Sequence, residues 1–90
     1  MAAKQKNVSV IKTDGTVTET EWSTFAAAGD ILRQLQTIVD GYVEPVRLPF
    51  GTLIVNEEGL VRGLPLNLTA SRLCGRPIVG DAALIPNGKI

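Results

Sequence analysis

Apolar and polar residues alternate along Asn7-Val8-Ser9-Val10-Ile11-Lys12 and again along Thr16-Val17-Thr18-Glu19-Thr20-Glu21-Trp22. A period of two, rich in Val and Thr, predicts two half-buried strands. Asp14-Gly15 between them predicts a hairpin turn, because glycine takes a positive φ without a Cβ clash. A loop of Asp14, Gly15 and Thr16 would pair Val8 with Trp22 and Val10 with Thr20, gathering Val8, Val10 and Trp22 on one face. A loop one residue shorter would set the valines beside Glu21 and Glu19, so the longer loop is expected.

The period then changes. Ala28, Ile31, Leu32, Leu35, Ile38 and Val39 recur at helical spacing, with Arg33, Gln34 and Gln36 falling elsewhere. This predicts one main helix, capped by Ser23 or Thr24, begun by Ala26-Ala27-Ala28 and ended at Asp40-Gly41 with Gly41 left-handed. Asp30 sits near its positive end. Gly29 inside it costs about 1 kcal/mol relative to alanine, which marks a late start or a close backbone approach.

Tyr42–Leu48 follows as an extended segment, and Pro45, lacking an amide donor, places it at a sheet edge or a bulge. After a turn at Pro49-Phe50-Gly51, Thr52-Leu53-Ile54-Val55-Asn56 is nearly all apolar, as suits a central strand covered on both faces. Asn56-Glu57-Glu58-Gly59 is a turn, and Leu60–Leu64 is expected to pair back briefly. Asn67 caps a short helix, Leu68–Cys74, which Gly75 ends; Ile78–Ile85 is the last strand. The order β-β-α-β-β-(β)-α-β predicts an α+β fold. Its small mixed or antiparallel sheet carries one main helix packed on one face and a short second helix. One domain spans 1–90, with residues 1–6 a flexible tail.

Length and charge narrow the field. Ninety residues bury only about 60–65% of their unfolded surface. The aromatics are Trp22, Phe25, Tyr42 and Phe50, so the core rests on Val, Ile and Leu. A margin this thin makes a homo-oligomer the expectation. Nine acids balance nine bases, which argues against a nucleic-acid partner. Lone Cys74 precludes an internal disulfide and fits a cytoplasmic home. With no histidine the usual zinc and haem sites are excluded, and no cofactor is expected. No apolar run approaches about 18 residues, so no membrane span is expected, and Met1–Lys6 does not read as a signal peptide.

Several pieces recur in the right order: Ile38-Val39-Asp40-Gly41-Tyr42-Val43-Glu44, Val55-Asn56-Glu57-Glu58-Gly59, Gly63-Leu64-Pro65-Leu66-Asn67, Ala70, and Ile78-Val79-Gly80-Asp81. From Ile38 onward, over 38–85, the chain resembles a family of small proteins from bacteria, phages and plasmids, filed as a domain of unknown function. Asp40 stands where such segments often carry a second glycine. The resemblance implies a fold unit and a mobile-element setting, with no substrate attached.

Candidate chemistry is sparse. Cys74 has no histidine to deprotonate it and lies at a helix C-terminus, where the dipole disfavours a thiolate; it reads as a small core residue. Glu57-Glu58 reads as a solvated turn tip. Glu44 and Asp81 could converge at the end of the sheet, and Arg72 and Arg76 could clamp a phosphate or carboxylate. Tyr42, Glu44, Arg47, Arg72, Arg76 and Asp81 are therefore the candidate ligand- or partner-binding residues, with no catalytic and no metal-binding set. The first reading is a non-enzymatic accessory protein that binds a host protein or defence factor. The alternative is a small-ligand binder in which Arg47, Arg72 and Arg76 meet phosphate and Tyr42 or Trp22 stacks on a base. An enzyme using Glu44 and Asp81 ranks last.

Overall fold

In the computed structural model, which describes residues 7–89, five antiparallel strands form one sheet in the order β2-β1-β5-β4-β3. The strands are β1 (Asn7–Ile11), β2 (Val17–Glu21), β3 (Val43–Leu48), β4 (Gly51–Asn56) and β5 (Ala82–Pro86). The helices are α1 (Trp22–Ala27), α2 (Ile31–Val39) and α3 (Leu68–Cys74). The α+β class is as expected, and the sheet is wholly antiparallel. The tail expected over residues 1–6 lies outside the described residues.

The first hairpin keeps the expected faces but not the expected register. Val8 pairs with Thr20 and Val10 with Thr18, two positions short of the predicted partners. The Asp14 carboxylate accepts the Thr16 N–H at 2.8 Å, and the Lys12 N–H donates to the Thr16 carbonyl at 2.9 Å. The loop is thus Thr13, Asp14 and Gly15, and Thr16 closes the ladder. A slip of two preserves the side-chain alternation, so Val8 still faces the same core as Trp22.

The single main helix is in fact two. The chain turns at Gly29, and the Asp30 carboxylate accepts the Arg33 N–H at 3.2 Å, capping α2. The Gln34 amide donates to the Phe25 carbonyl at 2.8 Å across the corner. At the far end the left-handed residue is Asp40 (φ 62°) rather than Gly41. Aspartate tolerates that conformation better than most side chains.

Helices also cover both faces, where one was expected. Val8, Phe25, Leu35, Val39, Ile54, Ala83 and Ile85 pack under α1 and α2. Ile11, Leu53, Val55, Ala70, Ile78 and Ala82 pack under α3 on the opposite face. β4 lies between these layers with all six residues buried, as its apolar run predicts. β3 is an edge strand, as Pro45 requires. Leu32, counted among the core positions of α2, is exposed. The expected return strand over Leu60–Leu64 is absent, residues 60–63 forming turns instead. Ile78–Asp81 is not yet strand: the Ile78 carbonyl accepts the Asn67 N–H and the Gly80 N–H donates to the Pro65 carbonyl, both at 2.8 Å.

Candidate functional site

The segment after β4 is a built turn. Asn56 is buried, and its side-chain amide donates to the carbonyls of Val39 (2.9 Å) and Asp40 (3.2 Å). Its oxygen accepts the Glu58 N–H at 2.7 Å. The backbone then closes on itself: Gly59 N–H to Asn56 carbonyl, Arg62 N–H to Glu58 carbonyl, Leu64 N–H to Gly59 carbonyl. The Arg62 guanidinium reaches back to the Asp40 carbonyl and, at 3.1 Å, to its carboxylate. Gly59 is buried against Val79; a Cβ there would approach the Val79 methyl to 2.7 Å, so only glycine lets the turn lie flat.

Two apolar side chains are left at the tip. Leu60 is 81% exposed and Val61 91%. An exposed leucine alone is ordinary, but adjacent apolar residues on a hydrogen-bonded turn expose their surface at a fixed place. They form one wall of a cleft of about 490 Å³, whose floor is Val55, Ile78 and Val79 and whose polar rim is Glu44, Glu57 and Arg76.

The sequence candidates divide accordingly. Glu44 and Arg76 share this cleft. Asp81 does not join them: its carboxylate accepts the Thr13 N–H at 3.0 Å, tying the first hairpin to the start of β5. Arg72 is exposed in the last turn of α3 and does not line the cleft. Arg47 lies under α2 on the other face, in a groove with Leu32, Val43 and Pro45. Tyr42 is exposed just before β3. Trp22 packs on Phe25 with ring centroids 5.9 Å apart, so its ring belongs to the core. Arg47 and Arg76 of the ligand-binding alternative thus line different grooves, and neither lining includes Arg72, Tyr42 or Trp22. Cys74 is half-buried against the α3-side core.

Leu60 and Val61 were invisible to pattern reading because Leu-Val within five residues of Gly59 and Gly63 also fits a short strand. The usable signal was their position between Gly59 and Gly63, just past the Glu57-Glu58-Gly59 turn. Among the described residues no group of three or more His, Cys, Asp or Glu side chains is placed to hold a metal ion. None of the described helices is long and apolar enough to cross a membrane.

Several polar residues of the segments after Ile38 have a folding explanation. Asn56 locks the end of α2, Asn67 the start of α3, and Asp81 the first hairpin. Glu44 and Glu57 have no such role and meet at the cleft. No curated protein and no solved structure matches the chain. The resemblance seen from Ile38 onward reaches back through the first hairpin, since a single family matches residues 5–89. The chain belongs to that family, described as Domain of unknown function (DUF3846).

Proposed function

We propose that this protein acts by binding another protein, without turnover of its own, and that the cleft beside the Leu60–Val61 tip is the surface it uses. The observation that carries this reading is the pair of exposed apolar side chains on a turn held by Asn56, Gly59 and Arg62. Burying both would contribute roughly 3–6 kcal/mol, from about 1.5–3 kcal/mol per side chain. That is a large share of the ~8 kcal/mol of a micromolar complex. Glu44, Glu57 and Arg76 would fix the register of the partner through polar contacts at the rim. In the phage-and-plasmid setting that the resemblance implies, the partner is a host enzyme or defence component.

The test compares the native chain with a Leu60→Ser/Val61→Ser variant of unchanged unfolding midpoint. The native chain is expected to capture a defined protein from a bacterial lysate, and the variant to bind that protein at least about tenfold more weakly. Capture of nothing by the native chain, or equal affinity of the variant, overturns the reading.

A further inference from the structure

We infer that the outer edge of β2 takes up an extended segment of another protein, carrying Lys or Arg at alternate positions, as a sixth strand of the sheet. The two edges of this sheet are built differently. At β3 the Glu57 N–H donates to the Tyr42 carbonyl at 2.9 Å, which sets the alternation: Tyr42, Glu44, Val46 and Leu48 bond inward to β4, while Val43, Pro45 and Arg47 face out. Pro45 has no N–H to offer, so the middle of that edge lacks its donor.

At β2 the Lys12–Thr16 bond sets the alternation in the same way. Thr18 and Thr20 bond inward to Val10 and Val8, and the N–H and C=O groups of Val17 and Glu19 face outward. β2 contains no proline and no lysine, and all five of its residues are exposed. Proteins usually blunt such an edge with charges or proline, or cover it. Among the described residues nothing covers this one and its only guards are the charges of Glu19 and Glu21, while the opposite edge is interrupted.

Charge selects the occupant. Glu19 and Glu21 lie on the same face of β2, two residues apart. A second copy pairing along the whole strand about a two-fold axis would put Glu19 opposite Glu19 of that copy. Slipping one way puts Glu19 opposite Glu21; slipping the other way shortens the ladder and leaves the two Glu19 side chains diagonal. Like charges directly opposite destabilise a strand pair, and opposite charges stabilise it. The strand that fits has Lys or Arg facing Glu19 and Glu21, with β-branched residues between them to lie over Thr18 and Thr20. This surface is separate from the Leu60–Val61 cleft, so the two inferences stand or fall independently.

The test uses the whole chain and two synthetic extended peptides, one alternating Thr with Lys and one alternating Thr with Glu. The Lys peptide is expected to bind, to shift the amide resonances of Val17 and Glu19, and to weaken as salt rises. Val17→Pro removes an outward donor and leaves the bonds to β1 in place, so it should weaken binding by about tenfold or more. Glu19→Gln/Glu21→Gln, which keeps the side-chain shape, should do the same and covers the case in which the proline variant does not fold. The Leu60→Ser/Val61→Ser variant should bind the Lys peptide as the native chain does. Equal binding of the two peptides, binding that survives in the Gln variant, no binding of the Lys peptide, or a dimer formed through β2 would each overturn the proposal.

Discussion

Replacing Asn67 by alanine should cost about 3–4 kcal/mol of folding stability, far more than an ordinary helix cap. Asn67 is fully buried. Its side-chain oxygen accepts the Ala70 N–H at 3.0 Å, and its amide donates to the carbonyls of Ile11 and Gly80, both at 2.9 Å. Loss of the cap alone costs about 1 kcal/mol. Two buried carbonyls left without that donor add about 1 kcal/mol or more each. A domain of this length has roughly 5–13 kcal/mol in total, so the loss would be a large fraction. In urea the midpoint should fall by about 1–2 M at unchanged slope, and the melting temperature by about 12 °C or more. Asn67→Asp adds a second check. It keeps the cap acceptor but aims a carboxylate at two carbonyls, so burial and repulsion raise its folded pKa above the unfolded value. A group raised in this way binds more protons in the native state. The variant is therefore least stable at neutral pH and recovers towards Asn67 as pH falls to about 4. A loss below about 1 kcal/mol for Asn67→Ala, or an aspartate variant indifferent to pH relative to native protein, would refute the reasoning.

Further outcomes follow from three particular sites. Asp40→Gly should leave stability within about 1 kcal/mol of native in chemical denaturation, because glycine relieves the left-handed φ of 62° while only an exposed ion pair to Arg62 is lost. Asp40→Val should lose more than about 1 kcal/mol in the same assay, since a β-branched residue resists that conformation. Gly51→Ala should abolish stable folding at 37 °C, because a Cβ there would run into the Ile85 carbonyl oxygen across the β4–β5 ladder; a folded alanine variant with native melting behaviour would contradict this. The Asp14 carboxyl is held below the ordinary carboxylate range mainly by its hydrogen bonds with Thr16. Its contribution to the hairpin is thus present above that range and lost as pH falls through the lowered folded value. An NMR titration should show the low midpoint, and Thr16→Pro, which removes the donor, should return it towards normal.

The residue pattern by itself determined the type and place of most elements. Alternation in 7–11 and 17–21, the apolar run of β4, Pro45 at an edge, and Asn67 with Gly75 around α3 are local facts, enforced by backbone sterics and hydrogen bonding within a few residues. Asp30 illustrates the limit of that reading. As a charge near a helix start it is legible, but whether it caps a new helix depends on where Phe25 and Leu35 find a common core. The hairpin register escaped for a similar reason, since a slip of two leaves every side chain on its face and only the Asp14–Thr16 bond discriminates.

What the tertiary structure decided was which polar residues serve the fold and which are left lining a cleft. Asn56, Asn67 and Asp81 bond to carbonyls or amides between 13 and 68 positions away in the chain. No periodicity encodes those distances. Glu44, Glu57 and Arg76 meet at one cleft because β3, the turn after β4 and the loop after α3 come together there, and Leu60 and Val61 stay in water because that turn is fastened to α2. Sequence spacing reports neighbours along one element; a site assembled from three elements exists only once the sheet order brings them together.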